Sequence, residues 1–143
     1  MISRRLKEFL QDEQVSYEVL EGPVAGCAKI IMVSVGREHA MVVMPASCEL
    51  DLGKLAVLLD SSEVTVQTEG QSAHLFPDCE PGAEPAIGRL YGFSSFVDET
   101  LLDGPSVCFK AGNHREYVRF SSDEYWRIAQ AEVGDFRLRK VAV

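Results

Sequence analysis

Two apolar, β-branched runs lying close together constrain most what this chain can fold into. Ala28 to Val35 and Ala40 to Met44 are joined by Gly36-Arg37-Glu38-His39, the length and composition of a short hairpin loop. Apart from Lys29 and Ser34 both runs are apolar instead of alternating with polar residues, which is the pattern of central strands. The rest of the chain has to be arranged around this pair.

Upstream, Leu6, Phe9 and Leu10 fall at i, i+3 and i+4 among Arg5, Lys7, Glu8, Asp12 and Glu13, which predicts an amphipathic helix capped by Ser3. Val15, Tyr17 and Val19 alternate with polar residues and predict a half-buried strand over 15–20, ended by Glu21-Gly22-Pro23. Downstream, Asp51 stands as cap or first-turn anion of a helix that runs to Leu59 and turns Leu52, Leu55, Leu58 and Leu59 inward. Val64-Thr65-Val66 predicts another strand, and Thr68 to Phe76 a short helix carrying His74 and stopped by Pro77. Phe93 to Val97, Ser106 to Lys110 and Glu116 to Phe120 are strand-like. A helical turn over 98–102 and a reversal at Ala111-Gly112-Asn113-His114 lie between them. Ser121 and Glu124 have capping-box spacing and open a helix through Ala129, after which Val133 to Leu138 predicts a closing strand. About seven strands and three or four helices, with hairpins early and late, make the class α+β with a mixed or mostly antiparallel sheet.

At 143 residues, 46% hydrophobic and 25% charged, the chain is expected to form one domain over 1–143 around a single core, without metal or disulfide support. Fourteen Lys and Arg against 22 Asp and Glu give a charge of −8, which argues against a protein that grips nucleic acid non-specifically. The cations nearest the ends are Arg4, Arg5, Lys7, Arg137, Arg139 and Lys140. They are read either as two solvated termini or, if the termini meet, as a basic surface for tRNA. Cys27, Cys48, Cys79 and Cys108 include no CxxC pair and are read as small buried hydrophobes. The N-terminus lacks an apolar signal region and no apolar run approaches a membrane span, so a reducing cytoplasm and no membrane are expected.

The usual motifs of nucleophilic, metal and nucleotide chemistry are missing: there is no GxSxG, HExxH, HxxxH, P-loop or GxGxxG, so neither metal nor cofactor is expected. Three features could carry chemistry instead. Lys29 is the only charge in the run Cys27 to Val33; it is either a strand-end lysine snorkelling to water or an ammonium held for a carbonyl or anion. The stretch Pro77 to Gly88 holds three of the six prolines, and its Gly82 and Gly88 would let backbone N–H groups approach a ligand. It is read as an ordered loop or a mobile lid. In the turn Gly112-Asn113-His114, Asn113 can take a left-handed conformation and offer its amide.

Taken in order, Ala28-Lys29, Met44-Pro45, Leu50-Asp51-Leu52-Gly53-Lys54-Leu55, Leu75 to Pro85, Tyr91-Gly92, Val97-Asp98-Glu99 and Phe109-Lys110-Ala111-Gly112-Asn113-His114 resemble the YbaK/ProX family. Its members are free-standing aminoacyl-tRNA deacylases related to the editing domain inserted in bacterial prolyl-tRNA synthetases. The resemblance runs from Leu6 to Phe136 and implies a curved, barrel-like mixed sheet with flanking helices. It implies hydrolysis of the ester joining a wrongly attached small amino acid to the tRNA 3′ end, with Lys29 as the catalytic residue. Gly82, Ala83, Pro85, Ala86, Gly88, Gly112, Asn113 and His114 would bind the substrate. The implied partners are mischarged aminoacyl-tRNA and, given the acidic charge, a synthetase or elongation factor that delivers it.

Two departures stand out. Relatives commonly carry proline four positions after the loop glycine, where this chain has Ala86 and places Pro85 one residue earlier. Relatives also place a whole helix before the lysine strand, where only Glu21 to Ala28 intervenes here. With a pocket wall missing, a second reading is an editing-domain relative that binds tRNA or protein without catalysis, and a third is a hydrolase of small acyl esters or thioesters.

Overall fold

The computed structural model describes residues 1–139. Helix α1 (Arg4–Asp12) starts where expected, with Ser3 Oγ accepting from Leu6 N at 3.3 Å, and buries Leu6 and Leu10. Strand β1 (Glu18–Glu21) begins later than the alternation predicts, and Val19 faces solvent because only one side of this edge strand is covered. The hairpin is β2 (Ala28–Val35) and β3 (Glu38–Pro45), antiparallel with Val35 opposite Glu38, so the loop is only Gly36-Arg37.

Helix α2 (Leu52–Leu58) is capped by Asp51, whose side chain accepts from Lys54 N at 3.1 Å. It buries Leu55 but leaves Leu58 43% exposed, against expectation, because the helix lies at the margin of the sheet. Strand β4 (Val64–Val66) is followed by α3 (Glu69–Ser72), whose Thr68–Gln71 capping box is followed by a 3-10 turn over Ala73–Leu75. Strand β5 (Ser94–Asp98) absorbs Asp98, which sequence places in the following turn. Strands β6 (Ser106–Lys110) and β7 (Glu116–Ser121), helix α4 (Ser122–Ala129) and a short β8 (Glu132–Gly134) complete the order.

The class is α+β with a mixed sheet and flanking helices, as expected, and the barrel-like strand layer is divided into two sheets. One is antiparallel, β1-β7-β6; the other is mixed, β4-β2-β3-β5-β8, with β3-β5 and β5-β8 parallel. The consecutive apolar residues Ile30 to Val33 and Ala40 to Met44 of the hairpin follow from this arrangement, because the larger sheet is covered on both faces. Met32, Met41 and Val43 face the main core with Leu6, Leu10, Phe109, Phe120, Tyr125 and Ile128. Val33 and Val42 face a second cluster with Leu55, Phe96 and Phe136.

Two covalent or ionic ties hold this frame. Cys27 and Cys108 form a disulfide, so the reading of all four cysteines as small buried hydrophobes, with no disulfide support, is corrected; Cys48 and Cys79 are free and half-buried. The bond joins the start of β2 to β6 and thereby links the two sheets. Asp98 is fully buried and accepts from Thr100 N, Thr100 Oγ1 and Phe136 N, and its Oδ1 lies 3.3 Å from Arg137 Nε. That set of partners compensates a buried carboxylate and ties the chain after β8 to the sheet. No helix among the described residues is long and apolar enough to cross a membrane.

Candidate functional site

The stretch from Pro77 to Gly88 is an ordered loop folded inward, with every residue from Ala83 to Gly88 buried. It is fastened to the turn after β6. Glu80 N donates to Gly112 O and Gly112 N to Ala83 O, both at 2.9 Å, and His114 N donates to Glu80 Oε1 at 3.1 Å. His114 Nε2 donates to Pro81 O at 2.8 Å, which leaves Nδ1 to accept from Lys110 Nζ at 3.1 Å and so selects the Nε2–H tautomer. From the core side, Tyr125 OH donates to Ala86 O at 2.7 Å.

Glycine is required at two points of this junction. Gly82 has φ +84°, and a Cβ there would strike the Glu69 carboxylate. Gly112 has φ +100°, and a Cβ would sit 2.8 Å from Ser3 Cβ, where Ser3 N donates to Ala111 O at 2.8 Å. The left-handed residue is thus Gly112 and not Asn113. Gly112→Ala should cost about 3 kcal/mol from backbone strain plus displacement of the α1 cap; chemical denaturation checks it through the transition midpoint at unchanged slope.

Between the loop, β2 and β6 lies a cleft of about 330 Å³. Lys29 lines it, half-buried near the start of β2 and opposite Met44. Among the described residues no carboxylate lies within ion-pair distance of its ammonium. Gly82 lines the same cleft. The other expected substrate residues do not: Ala83, Pro85, Ala86 and Gly88 are buried behind it, and Gly112, Asn113 and His114 form the fastening just described.

Asn113 has its amide fully occupied. Oδ1 accepts from Arg115 N and Glu116 N, and Nδ2 donates to Met1 O and Glu116 Oε1. Three residues that sequence reasoning passed over complete the cleft instead: Glu84, Lys110 and Tyr117. Glu84 carried a readable signal, the one charge in the otherwise apolar segment Gly82 to Gly88.

The short connector before β2 also contributes. Val24, Ala25, Gly26 and Cys27 form one wall, held by the Cys27–Cys108 bond. Where relatives were expected to place a helix, this chain closes the cleft with a cross-linked loop.

The terminal cations are tied to different neighbours. Arg4 pairs with Glu8 and Arg5 lies over the Tyr91 ring, whereas Arg137 meets Asp98 and Asp135, and Arg139 meets Asp135. Arg137 is therefore engaged in an ion-pair cluster that includes a buried carboxylate, and Lys140 lies outside the described residues. Lys7 is exposed on α1. Of the free thiols, Cys79 is pushed up to about 12 by burial, so it is no nucleophile at neutral pH. No cluster of His, Cys, Asp and Glu able to hold a metal occurs among the described residues.

The fold and the cleft define a small α+β domain that presents a lysine, without an ion-pair partner among the described residues, beside a partly buried glycine-proline loop. The chain belongs to the aminoacyl-tRNA editing domain family, whose model matches residues 12–128. A solved structure described as a candidate trans-editing enzyme for prolyl tRNA synthetase superposes with a TM-score of 0.82 at 21% identity, covering 96% of this chain and 97% of that one. A scaffold used in computational epitope grafting gives the same figures. A candidate signal transduction protein from Marinobacter aquaeolei VT8 matches at 15% identity with a TM-score of 0.79, covering 94% of this chain and 30% of that one. At these identities the likenesses establish the fold. No curated protein matches the chain.

Proposed function

We propose that residues 1–143 act as one editing domain that hydrolyses the ester between a small, wrongly attached amino acid and the 3′ end of tRNA. The observation that carries this reading is Lys29, an ammonium that has no carboxylate partner among the described residues and lines the same cleft as Gly82 and Glu84. An ester carbonyl gains negative charge on oxygen as water adds, and a preorganised cation and N–H donor stabilise that charge more than they stabilise the ground state.

The loop narrows the choice of donor. Gly82 N donates to Glu84 Oε1, Ala83 N to Glu80 O and Gly88 N to Ser95 Oγ, while Ala86 and Ile87 lie in the main core. Glu84, which borders the cleft, supplies the N–H that acts with Lys29. Water adds to the carbonyl, the tetrahedral intermediate expels the ribose oxygen, and the proton released by water passes to that leaving oxygen or to solvent. The products are the free amino acid and a tRNA with an intact terminal ribose. No protein nucleophile takes part, because the ester is already activated and positioning with charge stabilisation suffices.

The cleft volume stands near the lower end of ligand sites, which suits a small acyl group with its ribose better than a bulky one. The test is deacylation of a panel of tRNAs charged with small amino acids, beside free amino acid esters. Release from charged tRNA above the spontaneous rate is the expected outcome. Cleavage of free esters at least as efficiently would indicate a small-ester hydrolase, and no release by the folded protein would point to a binding module.

A further inference from the structure

Glu84 is the one carboxylate among the described residues that borders the Lys29 cleft, and it is only 7% exposed. It also borders an adjoining cleft that includes Met32, Gln67 and Glu69, so it stands on the partition between the two. A buried carboxylate ordinarily carries a cation or several N–H donors, because burial without them is costly. Among the described residues Glu84 has one such donor, Gly82 N at 3.2 Å to Oε1. Neither Lys29 nor Lys110, the two ammonium groups lining the same cleft, lies within ion-pair distance of it.

The cleft therefore presents two cations and one carboxylate that do not neutralise one another. An aminoacyl ester has the complementary distribution: an electron-rich carbonyl and a polyanionic tRNA on one side of the Cα, and an α-ammonium on the other. We infer that Glu84 is a specificity-determining residue that receives the substrate's α-ammonium through its remaining carboxylate oxygen, restricting the enzyme to acyl groups with a free, charged amine. This rests on the deacylase reading and names its substrate class: 2-aminoacyl esters are accepted, and 2-hydroxyacyl esters of the same size are not. Seating the ammonium at Glu84 also places the carbonyl, one carbon away, near the Glu84 and Lys29 donors.

The experiment compares the fastest-cleaved aminoacyl-tRNA of the panel with its 2-hydroxyacyl counterpart, made by nitrous acid deamination, each rate divided by its spontaneous rate. Wild type should favour the amine roughly 10- to 100-fold, the value of a charge-assisted hydrogen bond. Glu84→Gln keeps the shape and the Gly82 contact, and should bring that ratio to near one by slowing the amine substrate alone. A merely structural role for Glu84 would slow both substrates together. Equal cleavage of the two by wild type, or an unchanged ratio in Glu84→Gln, overturns the inference and leaves the deacylase reading standing. Cleavage of neither overturns both.

Discussion

Lys29→Ala lowers the kcat/KM for aminoacyl-tRNA deacylation by at least roughly 100-fold, the usual cost of deleting one oxyanion donor, while the circular dichroism spectrum and thermal midpoint stay at wild-type values. The two halves of this expectation have separate origins. The catalytic half follows from how few donors the cleft offers, since most amides of the glycine-proline loop are occupied within the protein. The stability half follows from the absence of any ion pair to Lys29 among the described residues and from its half-buried position, so truncation leaves no stranded buried charge. Lys29→Arg retains charge but spreads it over a planar fork that a carbonyl oxygen cannot fill, so it should recover only a minor part of the rate. Full activity in Lys29→Ala would remove Lys29 from the mechanism.

Local chemistry was the most legible part of this chain. Ser3, Asp51 and Ser121 cap their helices because an N-cap is decided by neighbours a few residues away, and the hairpin is written in two apolar runs and a glycine turn. The division into two sheets was not legible, because strand pairing between distant segments such as β1 and β7 leaves no local mark. The Cys27–Cys108 pair was hidden for the same reason. With four cysteines in no motif, proximity of two of them is a property of the fold.

The candidate site divides along the same line. Lys29 was visible as a charge out of place in an apolar strand. Gly82 and Gly112 were visible as turn residues, but composition alone could not say which faced a cleft and which fastened the loop from behind. Glu84 was passed over because a charge in a loop usually means exposure, as it does for Asp78 and Glu80, whereas here the Tyr125 and Gly112 contacts hold Ala83 to Gly88 inward. A polar residue inside a buried loop is a stronger functional signal than the loop's glycine content.

Breaking the cross-link should have the second large effect, on stability and function together. The Cys27–Cys108 bond closes a loop spanning 81 positions, and constraining an unfolded chain over that length contributes about 4 kcal/mol. For a domain of this size each kcal/mol moves the melting point by about 3 °C. Dithiothreitol treatment, or Cys108→Ser, should therefore lower the midpoint by roughly 12 °C, and adding reductant to the variant should lower it no further. The functional consequence follows from where the bond sits. Val24, Ala25 and Gly26 wall the cleft without a helix behind them, and Gly22 packs against the Tyr117 ring with no side chain of its own. Once released, that wall loses its only covalent anchor to β6, and substrate binding weakens even at temperatures where the protein is folded. Deacylation assayed well below the lowered midpoint should show KM rising while Lys29-dependent turnover persists. If reduced and oxidised protein melt together, the connector is held by packing alone, and the bond has no structural role in this cleft.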